Sequence, residues 1–552
     1  MLLHGGMMTQ PLLISSIITH AARNSGSHEV VSQLSDGSLH RYTYADCEQR
    51  TKQLAGALLG LGITQGDRVA TLAWNGYRHL EIYYGVSGLG AVCHTINPRL
   101  HVQQIVYIIN HAQDVAVCYD IGFAALIAQI TEQCPSVRHW IALTDIDHAE
   151  SSLSYEALLR QACALEHWPE FDENTASSLC YTSGTTGQPK GVLYSHRSTL
   201  LQAYAASHPD AMGISAHDVV LPLVPMFHVN AWGLPYTALM AGSKLVLPGS
   251  RLDGASLQAL CDGEGVTFSA GVPSVWQGYI ETLQATGQRP RTLRRAYIGG
   301  SACPPAMFSA LHELGVDVTH SWGMTEVSPL GTACRLLPKH EGEDDQTKIQ
   351  VLAKQGRELF GIEMRTVDEG GVAQPRNGQH PGNLMVRGNW VVRDYYQSDS
   401  KALSEGWFDT GDMATIDEDG YLLITDRCKD VIKSGGEWIS SIDLENIAMA
   451  HPKIHMAACI SCDHQRWGER PLLIAVAKPG AQVDAAELLA FFEHKVAKWC
   501  IPDDVLFIED MPLTATGKLF KLALRERYRD HYSRQSSTGG ETQNPPLIQA
   551  KA

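Results

Sequence analysis

The chain has 552 residues, 44% of them hydrophobic and 18% charged, with a formal net charge of −16. This length exceeds what one hydrophobic core organises, so two or more domains are expected, and the composition is that of an ordinary globular protein. The negative charge disfavours nucleic acid or an anionic membrane as the main partner, while leaving room for a local basic pocket.

Residues 7–20 are apolar, lack a basic flank and are interrupted by hydroxyls, which predicts an amphipathic helix rather than a signal peptide. Met7 and Met8 leave the start codon open. Residues 44–61 read as helix, 68–73 as strand and 79–88 as helix again, an alternation that predicts α/β layers with buried parallel sheets. No repeat of solenoid period and no membrane-spanning apolar run occurs. Residues 176–181 and 191–194 read as short strands, and between them lies Tyr-Thr-Ser-Gly-Thr-Thr-Gly-Gln-Pro-Lys-Gly at 181–191. Glycines there let backbone N–H groups crowd around a polyphosphate, hydroxyls add donors, and Lys190 neutralises charge. The Gly-Lys-Ser/Thr ending of a Walker loop is missing; the bland alternative is a polar surface hairpin.

Further along, the polar stretch 339–346 reads as a solvated loop or helix start. Residues 427–430 fall between strand-like runs at 421–425 and 431–433 and suit a domain junction. Thirteen scattered cysteines point to reduced thiols and a cytosolic setting. Cys459 and Cys462, with His464 nearby, have metal or redox spacing, yet they lie in an apolar strand-like run without a second pair, so neither use is expected. Past Tyr532 the chain is poor in apolar residues and reads as a disordered tail.

The phosphate-loop candidate has company. Ser-Trp-Gly-Met-Thr-Glu stands at 321–326, Gly-Trp-Phe-Asp-Thr-Gly-Asp at 406–412, Asp-Arg-Cys-Lys-Asp at 426–430, Ser-Gly-Gly-Glu-Trp-Ile at 434–439 and Pro-Leu-Thr-Ala-Thr-Gly-Lys at 512–518. In order, spacing and residue type this set resembles the ANL superfamily of adenylate-forming enzymes, over nearly the whole chain. Within it, the segments 226–232 and 433–441 look most like the medium- and long-chain fatty acyl-CoA synthetases and the related ligases for 3-methylmercaptopropionate. The resemblance implies an α/β fold with a large multi-layered N-terminal domain (1–428), a small mobile C-terminal α/β lid (429–535) and a tail (536–552).

It also implies a chemistry. A carboxylate is a poor electrophile because oxide is a hopeless leaving group; transfer of AMP onto it supplies a phosphate ester to leave instead. Attack on the α-phosphate of ATP expels diphosphate, so negative charge must be neutralised at both centres. Mg²⁺ is the natural means. Glu326 resembles the family's metal-binding glutamate and Thr182 its hydroxyl partner; helix capping is the alternative for Glu326. Thr182, Ser183, Gly184, Thr185, Thr186, Gly187 and Lys190 would hold phosphates, and Thr325 would touch the α-phosphate. Lys518 resembles the catalytic lysine that reaches the carboxylate and the α-phosphate together. Gly300 and Ser301 resemble the adenine loop; Ser321, Trp322 and Gly323 belong to the same site, with Trp322 stacking on the base or else packing in the core. Asp412 and Arg427 resemble the ribose-binding pair.

In the second half-reaction the CoA thiol attacks the acyl carbon. The family rotates its lid about a hinge that Lys429 matches, exchanging Lys518 for the loop 434–439; Lys433 and Trp438 correspond to positions contacting nucleotide or acyl-adenylate. His228 and Trp232 lie where fatty acyl relatives place the acyl channel, Trp232 resembling a gate or else a core residue. The reading is an AMP-forming fatty acid–CoA ligase using ATP, Mg²⁺ and CoA, cytoplasmic and weakly a homodimer. Its rivals are a ligase for a short or sulfur-bearing acid, a non-CoA adenylating module, and a regulator without catalysis.

Overall fold

Local signals set the element boundaries. Thr43 Oγ1 accepts from the Asp46 N–H while the Asp46 carboxylate accepts from the Thr43 N–H, a capping box that starts helix Tyr44–Gly60. Ser195 and Ser198 cap His196–Ser207 in the same way. Strands such as Val92–Thr95 and Ala116–Tyr119 are buried along their whole length, as strands inside a parallel sheet must be. The computed structural model describes residues 3, 5–145, 153–182, 188–398, 402–435, 437–514 and 518–532.

Contacts divide the chain into two units. The larger comprises residues up to Thr410, Ala414–Ile424 and Lys518; the smaller comprises Gly411–Met413, Thr425–Thr514 and the residues from Leu519 on.

Two seven-stranded sheets dominate the larger unit. In one, Asp317–His320, Arg295–Ile298, Phe268–Gly271, Val219–Pro222, Lys244–Leu247 and Glu29–Gln33 lie parallel in that order, and Leu39–Thr43 closes the edge antiparallel. In the other the order is Leu153–Ser154, His139–Ala142, Ala116–Tyr119, Arg68–Leu72, Val92–Thr95 and Ala176–Tyr181, with Gly191–Ser195 antiparallel at the edge. Helix Tyr77–Gly88 is buried almost all round, and its residues join the main apolar cluster of the unit.

The smaller unit is built on a five-stranded sheet ordered Glu437–Ile439, Ile432–Ser434, Gly468–Ala477, Ile454–His464, with Asp504–Phe507 parallel to Gly468–Ala477. Helix Ser441–Met449 shares one apolar cluster with the sheet and helix Lys521–Tyr528 another. Cys459 falls in the first cluster and Cys462 in the second. A separation of three along a strand puts them on opposite faces, so they cannot clamp one ion.

Two expectations shift. The first helix spans Ser15–Asn24, not 7–20. Pro11 disfavours helix in the residue before it, and the Leu12 N–H is already engaged by Glu173 Oε2 at 2.9 Å. The strand read at 421–425 runs Leu422–Arg427, so Arg427 is its last residue. Residues 339–346 hold an exposed loop and a helix start, as expected: a short 3₁₀ turn, Pro338–His340, then the loop 341–344, then helix Asp345–Leu352, capped by Asp344. The expected tail lies outside the described residues. No helix among the described residues is long and apolar enough to cross a membrane.

Candidate active site

The antiparallel pair Ala176–Tyr181 and Gly191–Ser195 delivers the glycine-rich loop from a sheet edge. Thr182 N–H donates to the Lys190 carbonyl at 2.9 Å, and Lys190 N–H donates to Thr182 Oγ1 at 3.2 Å, closing the stem. Ser183, Gly184, Thr185, Thr186 and Gly187 lie outside the described residues. Tyr194 ties this stem to the next motif, its hydroxyl donating to the Thr325 carbonyl at 2.7 Å. Thr325 opens the short turn Thr325–Val327, in which Glu326 is only 7% exposed.

The Tyr395 hydroxyl donates to Glu326 Oε1 at 2.9 Å, and the Lys190 ammonium stands 4.7 Å from the centre of the Tyr395 ring. Burial, then the adjacent carboxylate, push the Tyr395 phenol above its ordinary range, so it remains a donor. A fixed carboxylate and the Thr182 hydroxyl, a weak neutral ligand, are both hard oxygen donors, which fits Mg²⁺.

Beyond strand Arg295–Ile298 comes a turn where only glycine is admissible. A Cβ on Gly299 would stand 2.5 Å from Ser321 Oγ, and Gly300 has φ +84°. Ser321 is bound into that turn, its N–H and its hydroxyl both donating to the Ile298 carbonyl at 2.8 and 3.2 Å. A Cβ on Gly323 would fall 1.6 Å from the Pro329 carbonyl oxygen. Ser301 is exposed. Trp322 is 8% exposed, belongs to the main core cluster and lies against Gly331, where a Cβ would meet its ring at 2.5 Å. The ring is thus packed into the core on the Gly331 side.

His228, half-buried, precedes an unusual turn. Val229, Asn230, Ala231 and Trp232 have φ between 42° and 56°, followed by Gly233 at 77°. The left-handed region costs an ordinary L residue about 1–2 kcal/mol. Tertiary contacts hold the turn: Asn230 Nδ2 donates to Ser178 Oγ at 2.9 Å, Cys180 Sγ donates to Asn230 Oδ1 at 3.5 Å, and Val229 and Ala231 are buried. The Trp232 ring faces the Gly299–Gly300 backbone, 3.4 and 3.6 Å from where their Cβ atoms would be. Lys518, grouped with this unit, brings its Cε to 3.8 Å from the same point at Gly300. Burial, and secondarily the Lys518 charge, push the His228 imidazole down to about 3, so it is neutral near pH 7.

In the smaller unit Arg427 Nε meets Asp412 Oδ1 at 2.9 Å, the carboxylate buried and the guanidinium half in solvent. The Lys429 carbonyl accepts from Arg525 at 2.8 Å, and Arg525 also pairs with Asp430, so helix Lys521–Tyr528 fixes the backbone on the C-terminal side of Lys429. Lys433 pairs across the hairpin with Trp438, its ammonium 5.3 Å from the ring centre, and Trp438 is 40% exposed. Gly435 takes φ +61°, and a Cβ there would strike the Trp467 ring at 2.8 Å.

Residues 18–396 match the AMP-binding enzyme family, and residues 443–518 match the AMP-binding enzyme C-terminal domain. The chain belongs to the AMP-binding enzyme family. It is 50% identical over 541 residues to a medium-chain-fatty-acid–CoA ligase of Ectopseudomonas oleovorans, covering 97% of this chain and 99% of the relative. It is 51% identical to a 3-methylmercaptopropionyl-CoA ligase of Ruegeria lacuscaerulensis, covering 95% and 99%. Its fold matches the crystal structure of an anthranilate CoA ligase in complex with anthranoyl-AMP, with TM-score 0.86 at 22% identity over 95% of this chain and 99% of that one. The multi-layered α/β architecture with a large N-terminal and a small C-terminal part is therefore that of this AMP-binding family.

Two features of this AMP-binding enzyme escape a reading of its sequence. Tyr395 meets Lys190 and Glu326 only through tertiary folding, and its sole local mark is a second tyrosine beside it. The left-handed turn has no local mark except the glycine that ends it.

Proposed function

We propose that this AMP-binding enzyme is an ATP- and Mg²⁺-dependent acid–thiol ligase that makes acyl-CoA, AMP and diphosphate through an acyl-adenylate, favouring medium- to long-chain fatty acids. In the first step a carboxylate oxygen of the acid attacks the α-phosphorus and the bond to diphosphate breaks. In the second, the CoA thiolate attacks the acyl carbon and the bond to AMP breaks.

The observation that carries this reading is the position of Lys518. Far along the chain yet part of the larger unit, Lys518 lies beside Gly300 and its charge acts on His228, bringing a cation to a glycine-lined turn. There it stabilises the charge that builds on the carboxylate and the α-phosphate. In the same reading Lys190 and the loop 182–187 hold the outer phosphates, and Thr325 the α-phosphate. Gly300, Ser301, Ser321, Trp322 and Gly323 line the adenine, Trp322 as a packed wall, and Asp412, held by Arg427, accepts the ribose hydroxyls. Glu326 and Thr182 would hold Mg²⁺, which when bound neutralises phosphate oxygens. Neutral His228 and the apolar Trp232 face the acid; Lys433 and Trp438 serve the acyl-adenylate.

Residues 429–535 form the mobile lid in this proposal, with Lys429 as its pivot and 536–552 as a tail. The enzyme works as a cytoplasmic homodimer in this reading, the scattered cysteines suiting a reducing compartment. A second reading, a ligase for a sulfur-bearing short acid, is favoured by the 51% identity to the 3-methylmercaptopropionyl-CoA ligase. A panel of acids from acetate to stearate, with 3-methylmercaptopropionate included, assayed by CoA-dependent AMP release, tests both. Highest kcat/KM on decanoate to palmitate supports the first reading, and highest kcat/KM on the sulfur acid supports the second.

A further inference from the structure

The segment 390–396 laces the two halves of the phosphate site together. Trp390 Nε1 donates to the Leu330 carbonyl at 2.9 Å, Ser328 Oγ donates to the Trp390 carbonyl at 2.8 Å, and Val392 N–H donates to the Glu326 carbonyl at 2.7 Å. These bonds fix the segment to the turn that carries Glu326. At its other end, Tyr396 N–H donates to the Gly191 carbonyl at 2.8 Å, and a Cβ on Gly191 would lie 3.2 Å from Tyr396 Cβ. That anchors the segment to the stem of the glycine-rich loop. Tyr395 sits between the two anchors and uses both faces of its chemistry. Its hydroxyl donates to Glu326 Oε1 at 2.9 Å, while its ring lies 4.7 Å from the Lys190 ammonium.

We propose that Tyr395 is a positioning residue that couples the metal-binding carboxylate to the phosphate-binding lysine: its hydroxyl orients Glu326 toward Mg²⁺ and its ring orients Lys190 toward the outer phosphates of ATP. The proposal rests on the reading of Glu326 and Lys190 given above. Its physical basis is division of labour within one side chain. A carboxylate has two oxygens, and a hydrogen bond to one of them restricts the rotamer in which it meets a cation. An aromatic face holds an ammonium without competing for its donors as a carboxylate would, so Lys190 stays available to phosphate. A tyrosine does both, and phenylalanine only the second.

Two variants of the full-length enzyme separate the functions. In Tyr395→Phe the carboxylate loses the hydroxyl's hydrogen bond while the ring remains; in Tyr395→Leu both the bond and the ring are lost. The first measurement is the Mg²⁺ concentration giving half of the thermal stabilisation conferred by ATP, a binding readout independent of turnover. The second is the KM for ATP at saturating Mg²⁺ in pyrophosphate exchange. Tyr395→Phe should raise the Mg²⁺ midpoint about five- to tenfold, as expected for loss of a charge-assisted hydrogen bond, with the KM for ATP within about twofold of wild type. Tyr395→Leu should raise both, the KM for ATP by about fivefold or more. The melting temperature of each ligand-free variant reports a merely structural role: a large fall there, with wild-type Mg²⁺ midpoint and KM, overturns the proposal. So does a wild-type Mg²⁺ midpoint in Tyr395→Phe, or a KM for ATP in Tyr395→Leu no higher than in Tyr395→Phe. Glu326→Gln and Lys190→Met run alongside as controls. If they leave Mg²⁺ and ATP binding unchanged, the roles of those residues are wrong and the coupling falls with them. If they impair binding and the Tyr395 variants do not, only the coupling is wrong.

Discussion

Asn230 offers a test of how the left-handed turn is held. It sits at φ 51°, ψ 40°, 4% exposed, with its amide engaged at both ends by Ser178 at 2.9 Å and Cys180 at 3.5 Å. Asparagine tolerates this region better than other residues that carry a Cβ. Asn230→Ala removes the amide bonds, at about 1–3 kcal/mol, and places a poorly suited residue in the left-handed region. Asn230→Gly removes the same bonds but escapes the Cβ penalty of about 1–2 kcal/mol, at the expense of about 0.5–1 kcal/mol of additional chain entropy. Glycine should therefore be the milder change, by about 0.5–1 kcal/mol, reversing the usual order of the two residues. Thermal unfolding of both variants, with hydrogen exchange of the peptide spanning 228–233, measures the difference, and the KM for the acid should rise in the same order because His228 and Trp232 ride on the turn. An alanine variant as stable as the glycine variant, or more so, would refute the argument that backbone strain is concentrated there.

Three further outcomes are expected. Lys518→Ala should depress acyl-adenylate formation by about 10² to 10³ while thioester formation from supplied acyl-AMP is largely retained, because the lysine serves the first step; equal loss of both steps would contradict the two-arrangement reading. Lys429→Pro fixes φ near −65° and restricts Cys428, so pyrophosphate exchange should survive while CoA-dependent turnover collapses, at unchanged melting temperature; full turnover would put the pivot elsewhere. Buried His79 and His196 are each held down to about 4, so the unfolded chain takes up their protons first as pH falls. Their contribution is complete above about pH 6.5 and is lost as pH drops toward 4, roughly 2 kcal/mol each by pH 5; a urea midpoint that is flat between about pH 7.5 and 5 would falsify it.

What the sequence makes legible is what local patterning controls. The strands around the phosphate loop follow from short apolar runs bounded by glycine and hydroxyl residues, and they form as Ala176–Tyr181 and Gly191–Ser195. Helix Tyr44–Gly60 follows from its capping box. The start of the first helix was not legible from apolar content alone, since the run before Ser15 is equally apolar and only Pro11 and the bond from Leu12 to Glu173 stop it. The left-handed turn runs against local preference, because valine, alanine and tryptophan all disfavour positive φ; its cause lies in buried contacts to Ser178, Cys180 and the Gly299–Gly300 backbone. For Trp322 the sequence left stacking and packing open, and the side chain lies packed against Gly331. Tyr395 shows the same limit, because the partners that give it meaning are 69 and 205 residues away in the chain.

The central claim is that ATP is cleaved between the α- and β-phosphates to activate a fatty acid. Incubating the enzyme with Mg²⁺, ATP carrying label in the α-phosphate, and decanoate in the absence of CoA, followed by acid quench and chromatography, tests it directly. The account predicts labelled decanoyl-AMP and one equivalent of diphosphate per active site, with the label moving to AMP as decanoyl-CoA forms once CoA is added. Labelled ADP with orthophosphate, or AMP released without an acyl-adenylate and without dependence on the acid, would contradict it.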